Sequence, residues 1–218
     1  MSTPHIIEPR QPANAAVIWL HGLGADCYDF VPVVEMLGLP AEHAVRFIFP
    51  QAPTQPVTIN GGMPMPSWYD ILGMAPARAI NHEQMQTSAD SVLALVEQQR
   101  TAGIDYGRII LAGFSQGGAV VLHAAMQSRL PLGGLMALST YGPTLEQLLV
   151  GPATNPLPIF FAHGRQDQMV QTRLGQQACD LLLAHGHQVQ WQDYAMGHEV
   201  CPEEIADISV WLRARLGL

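Results

Sequence analysis

The chain contains no lysine. All ten of its basic residues are arginine, against 18 acidic ones, for a net charge of −8 over 218 residues. That absence excludes a P-loop nucleotide site, whose lysine must reach the phosphates, and it excludes Schiff-base or pyridoxal chemistry, which needs an ε-amine. Charge is scarce in general, 13% of residues where ordinary globular chains carry about 25%. An acidic, lysine-free surface does not suit a nucleic-acid binder, which needs a basic stripe for phosphates. Cysteine is also scarce: Cys27, Cys179 and Cys201 are far apart and odd in number. They read as reduced thiols of a cytoplasmic protein, neither a disulfide framework nor a zinc site. No apolar run approaches the ~18 residues of a membrane span, and the first residues lack the basic-then-apolar pattern of a secretory signal. The nine histidines offer no metal constellation. His185 and His187 have no third ligand near them in sequence, and His198-Glu199 lacks the second histidine of a zincin helix.

What is present is apolar: 48% of the residues. Predominantly apolar runs of strand length fall at 15–20, 45–49, 108–112, 134–139 and 158–162, and residues 189–194 alternate as an edge strand does. Such runs suit strands covered on both faces, hence a parallel sheet between helices. Asn81 followed by Gln84 resembles a capping box for a helix with Met85, Ala89, Val92 and Val96 on its apolar stripe. Further helices are expected over 116–127, near 170–183, and from Pro202, with Glu203 and Glu204 at its positive end. The order predicts one domain, residues 1–218, of the α/β class: a doubly wound, mostly parallel sheet with helices on both faces. Residues 52–76 break the alternation, being dense in proline, glycine and methionine. They read either as a packed surface loop with a small hairpin at 58–61, or as the wall of an apolar pocket or an oligomer contact.

The chemistry centres on Gly113-Phe114-Ser115-Gln116-Gly117, a G-x-S-x-G placed after a strand and before a helix. The turn is so sharp that the serine is strained, and side chains at 113 and 117 would collide with the neighbouring strand and helix. A serine hydroxyl needs a base, and in this fold class the order along the chain is serine, acid, histidine. His198, between the last strand and the last helix, is the better general base than His185 or His187. An imidazole base must be neutral, so activity is expected to fall as pH drops through roughly 6 to 7. Asp167, in the loop after the strand at 158–162, is the acid that orients it. Asp180 and Asp193 read as solvated. The oxyanion donors are the N–H of Gln116, after the nucleophile, and that of Leu23 in the early strand–loop junction. His21, His123 and His163 read as structural. Gly22-Leu23-Gly24 also opens a partial dinucleotide fingerprint, but Cys27 stands where the third glycine belongs.

Taken together, Trp19-Leu20-His21-Gly22-Leu23-Gly24-Ala25-Asp26, Pro50-Gln51-Ala52-Pro53, Met65-Pro66-Ser67-Trp68-Tyr69-Asp70, the serine motif, His163-Gly164-Arg165-Gln166-Asp167 and Gly197-His198-Glu199 with Pro202-Glu203-Glu204 resemble the α/β-hydrolase carboxylesterases of the acyl-protein thioesterase and lysophospholipase type, especially their bacterial branch. The resemblance spans almost the whole chain. It implies the triad Ser115, Asp167 and His198 and an oxyanion hole from Leu23 and Gln116. It also implies a substrate pocket involving Met65, Trp68, Leu72 and Met169, no cofactor or metal, and frequent dimers. The expected activity is hydrolysis of small carboxylic esters, thioesters or lysophospholipids through an acyl-enzyme. The alternative is a catalytically silent binding module of the same fold, which would be expected to have lost one of these groups. The chain departs from the resemblance at Gln168-Met169-Val170 and at Cys27, changes that bear on pocket width and leave every catalytic group in place.

Overall fold

Strands that are apolar on both faces can be stable only between two layers. The computed structural model, which describes residues 3–74 and 78–218, has that arrangement. Seven strands form the central sheet: β1 (His5–Ile7), β2 (Ala15–Leu20), β3 (Val45–Phe49), β8 (Ile109–Phe114), β9 (Gly134–Leu138), β10 (Pro158–Gly164) and β11 (Gln188–Tyr194). Their order is β1-β3-β2-β8-β9-β10-β11. All neighbours are parallel except β1, which runs antiparallel to β3. The helices are α1 (Val31–Met36), α2 (His82–Thr101), α3 (Gln116–Ser128), α4 (Leu145–Leu148), α5 (Thr172–Ala184) and α6 (Pro202–Leu216). On one face of the sheet α2, α3 and α5 bury Ile18, Leu20, Leu111, Ala137 and Phe161. On the other, α1 and α6 bury Trp19, Phe47, Phe49, Ala112 and Phe160. Alternate residues of each strand thus supply opposite cores, and the α/β-hydrolase fold follows.

Three details differ from the pattern in the sequence. The strand β1 is only three residues long and carries no alternation that would have marked it. Between β9 and β10 the connection holds only the single turn α4, so the strand–helix alternation lapses there. The capping box at Asn81 is half formed. Asn81 Oδ1 accepts the Gln84 N–H at 3.1 Å, but the Gln84 side chain turns away to accept the Asp70 N–H at 2.6 Å. It satisfies a loop amide there, while the Asn81 N–H is taken by the Asp70 carbonyl.

Residues 52–74 are largely ordered into short antiparallel pieces. β4 (Thr54–Val57) pairs with β5 (Met63–Pro66) through a single 3₁₀ turn at Thr58–Asn60. Gly61 closes it at φ 67°, in the left-handed region that suits glycine. β6 (Ile71–Gly73) pairs with β7 (Ala79–Ile80). The hairpin expected at 58–61 is therefore present. Ala75 and Pro76, at the end of the segment, lie outside the described residues.

Candidate active site

Register brings the loops together. Leu20 is opposite Gly113, so the turns after β2 and β8 leave the sheet side by side. Gly164 is opposite Tyr194, so the loops carrying Asp167 and His198 emerge from adjacent strands at the same carboxyl edge. Ligands of open α/β sheets bind at that edge.

Ser115 lies between β8 and α3 with φ 53° and ψ −117°, a conformation that costs a non-glycine residue of order 1–3 kcal/mol. Its neighbours make the turn possible. A Cβ on Gly113 would sit 2.4 Å from the Gly117 carbonyl carbon, and one on Gly117 would sit 2.6 Å from the His21 oxygen. Hydrogen bonds hold the strained residue from both ends. The Ser115 N–H donates to the Leu138 carbonyl at 2.9 Å, and Thr140 Oγ1 donates to the Ser115 carbonyl at 2.6 Å.

Ser115 Oγ lies 2.9 Å from His198 Nε2, and His198 Nδ1 lies 2.7 Å from Asp167 Oδ2. Asp167 is almost fully buried. Burial by itself would push its carboxyl up, but hydrogen bonds from His163, His198 and the Val170 amide outweigh that and hold it well below the usual carboxylate range. Oδ1 accepts the amides of Met169 at 2.9 Å and Val170 at 2.8 Å. The aspartate is therefore an anion at neutral pH, aimed at the imidazole. His163, fully buried, lies 2.8 Å through Nε2 from the Val170 carbonyl and 3.5 Å from Asp167 Oδ2, bracing the acid loop as expected.

The Gln116 N–H opens α3 and has no acceptor within the helix. Leu23 follows Gly22, whose absent Cβ would stand 3.5 Å from Ser115 Cβ, so this loop runs beside the serine. His21 fixes the loop: its Nδ1 lies 2.8 Å from the Gly22 carbonyl, and its Nε2 accepts the Ala52 N–H at 3.2 Å. Burial pulls the His21 imidazole below its ordinary value, which suits a neutral brace. His123 is buried between Thr144 and Gln86, and His185 caps α5 through the Leu181 carbonyl. Asp180 accepts from Gln176 and Asp193 from Arg165, each at the surface.

The four expected pocket residues part company. Met65 lies over the loop at 21–24, its sulfur 3.8 Å from where a Gly24 Cβ would be. Met169 is exposed and lines a groove of about 870 Å³ with Met74, Arg78, Tyr141 and Leu174, running along α5. Leu72 is exposed and is not among the residues lining that groove. Trp68 corrects the expectation of a pocket wall: it is 1% exposed, and its indole donates to the His21 carbonyl at 2.9 Å. Burying an indole requires an acceptor for its N–H, and the His21 carbonyl supplies it, so Trp68 supports the loop at 21–24 from behind.

Two contributors escaped sequence reasoning. The Gln116 side chain accepts the Trp68 N–H at 2.8 Å and donates to the Tyr69 carbonyl at 2.7 Å, tying residues 67–69 to the start of α3. A polar side chain at the head of an otherwise apolar helix was the available signal. Thr140 gave none, because its partner is a backbone carbonyl 25 residues away. A second cavity, of about 40 Å³ beside His185 and His187, is large enough only for water.

The sequence profile of the family described as Phospholipase/Carboxylesterase matches residues 1–216. An acyl-protein thioesterase 1 from Mycosarcoma maydis is 37% identical, covering 95% of this chain and 94% of the relative. An acyl-protein thioesterase 1 from Cryptococcus neoformans var. neoformans serotype D is 35% identical over 96% of both chains. Among solved structures, the Zea mays acyl-protein thioesterase 2 superposes with a TM-score of 0.86 at 29% identity, covering the whole of both chains. The Bacillus cereus carboxylesterase shares the fold with a TM-score of 0.75 at 16% identity, covering 97% and 93% of the two chains.

Proposed function

Since the chain belongs to the phospholipase/carboxylesterase family, and is a serine hydrolase acting on esters and thioesters, we propose that Ser115 is its nucleophile, His198 its general base and acid, and Asp167 the residue that orients His198. The observation that carries this reading is the unbroken hydrogen-bond chain from Ser115 Oγ through both imidazole nitrogens to a buried, ionised carboxylate. In the first step Oγ attacks the acyl carbon while His198 Nε2 takes its proton, and Asp167 stabilises the imidazolium. The carbonyl oxygen becomes an oxyanion held by the N–H groups of Gln116 and Leu23; losing one such donor typically costs about 10²–10³ in turnover. His198 then gives its proton to the departing alcohol or thiol. Water repeats the sequence on the acyl-Ser115 ester, releasing the acid and restoring the hydroxyl. Side chains and amides carry every step, with no cofactor.

The substrate we propose is a small neutral acyl ester or thioester, its apolar part lying against Met65 and along the groove beside Met169. The whole chain, 1–218, acts as a single domain. The three free cysteines support a cytoplasmic setting, and no described helix is long and apolar enough to cross a membrane. A homodimer rests on the family resemblance, and sedimentation at micromolar concentration tests it. The test of the mechanism is hydrolysis of nitrophenyl esters of increasing chain length, with an acyl-thiol assayed in parallel. Ser115→Ala is expected to abolish turnover of both, and undiminished turnover in that variant overturns the assignment.

A further inference from the structure

Arg78, half-buried immediately before β7, makes two contacts across the groove. Its guanidinium stacks over the Tyr141 ring at 4.5 Å from the centroid, and Nη2 donates to the carbonyl of Met169. Among the described residues, no carboxylate forms an ion pair with Arg78. Its charge is directed at a neutral carbonyl instead.

That carbonyl is not an arbitrary acceptor. Met169 C=O and Val170 N–H are the two ends of one peptide unit, and the Val170 N–H is the group that donates to Asp167 Oδ1 at 2.8 Å. A cation drawing density from a carbonyl strengthens the N–H of the same amide as a donor. On its other side Arg78 rests on Tyr141, whose hydroxyl lies 2.7 Å from that of Tyr69. The Tyr69 carbonyl is in turn bonded to Gln116. One side chain therefore touches the acid loop directly and reaches the head of α3, beside Ser115, through two tyrosines.

We propose that Arg78 is a positioning residue for the hydrolytic reaction: through the Met169–Val170 peptide it fixes and polarises the donor that holds Asp167 toward His198. The inference rests on the triad reading above. Among the described residues, the titratable groups paired with Asp167 are His163 on β10 and His198 itself. Glu146 of α4, with Arg173 and Asp180 of α5, lines the same groove, and Arg173 donates to Gln171.

The test uses Arg78→Gln and Arg78→Lys with nitrophenyl acetate, whose acyl group is too short to use the groove. Arg78→Gln is expected to lower kcat by about 10- to 100-fold, the range for losing a charge-assisted hydrogen bond, with KM changed by less than about twofold. The acid limb of its kcat/KM profile should move to higher pH. Removing the cation lessens repulsion of the imidazolium, and an aspartate with a weaker donor becomes a better acceptor for it, so both effects have that sign. Arg78→Lys should recover part of kcat and shift the limb less. If Arg78→Gln fails to fold, the Arg78→Lys limb decides alone, and an unmoved limb overturns the proposal. So do unchanged kcat and pH limb in Arg78→Gln, or a change confined to KM for long-chain esters, which would make Arg78 a groove lining only. Activity surviving in Ser115→Ala would instead defeat the triad reading on which the inference stands.

Discussion

Asp167 and Glu204 are both buried carboxyls near the His198 loop, and they differ in almost every other respect. Asp167 receives two backbone amides and an imidazole and stays ionised far below the usual range. Glu204, in the first turn of α6, has no accessible surface, and neither of its carboxyl oxygens has a hydrogen-bond partner. Burial pushes it up to about 8. At neutral pH one is a carboxylate and the other mostly a neutral acid. Burial raises both; the donors decide which one ends as a charge.

The largest expected effect comes from breaking the first of the pair. Asp167→Asn keeps the shape but cannot hold the imidazole in the required tautomer, and kcat should fall by about 10⁴. Steady-state kinetics on a short ester measures it, and a loss below about tenfold would contradict Asp167 as the orienting acid.

Glu204→Gln should sharpen the contrast through stability. Because the folded-state value lies above the ordinary 4.5, the stability Glu204 lends is complete below pH 4.5 and is lost as pH rises toward 8 and beyond. The glutamine variant has no such loss. It should match the parent near pH 4.5 and exceed it by roughly 2–5 kcal/mol at pH 9. Urea unfolding at the two pH values checks this, and equal curves at pH 9 would mean that Glu204 is not held neutral. Turnover at pH 7 should change little.

The smallest effect concerns a third carboxyl, Asp207, one turn further along α6, which accepts from Tyr194 Oη at 2.8 Å. Tyr194→Phe should cost about 1 kcal/mol, equally at pH 6 and pH 9, because burial keeps the phenol protonated across that range. A pH-dependent loss would show that Tyr194 responds to Glu204 rather than to Asp207.

How far the sequence disclosed these features depends on the range of the forces involved. Ser115 was legible because the glycine requirement of its turn is local, and the sheet-edge loops of Asp167 and His198 follow from strand order. Glu204 was misread. An acid in the first turn of a helix suits the positive helix end, but position 204 also belongs to the stripe of Ile208, Leu212 and Leu216, which predicts burial. Arg78 gave no signal, since its partner lies 91 residues away, and the Gln116 side chain showed only its odd polarity at the head of an apolar helix, its partner being 48 residues away. The β4–β5 hairpin was legible only at its turn, because proline within both strands masks their pattern, and the short β6–β7 pairing was not foreseen.

The two ends of the central sheet carry a last consequence. One edge is the three-residue reversed strand β1, and the other is β11, whose outward positions include Gln188, Gln190 and Asp193. A long, flat, apolar edge is a template for another chain to add itself. Here one border is only three residues long and the other carries polar side chains, so neither edge offers a long apolar template to a second chain.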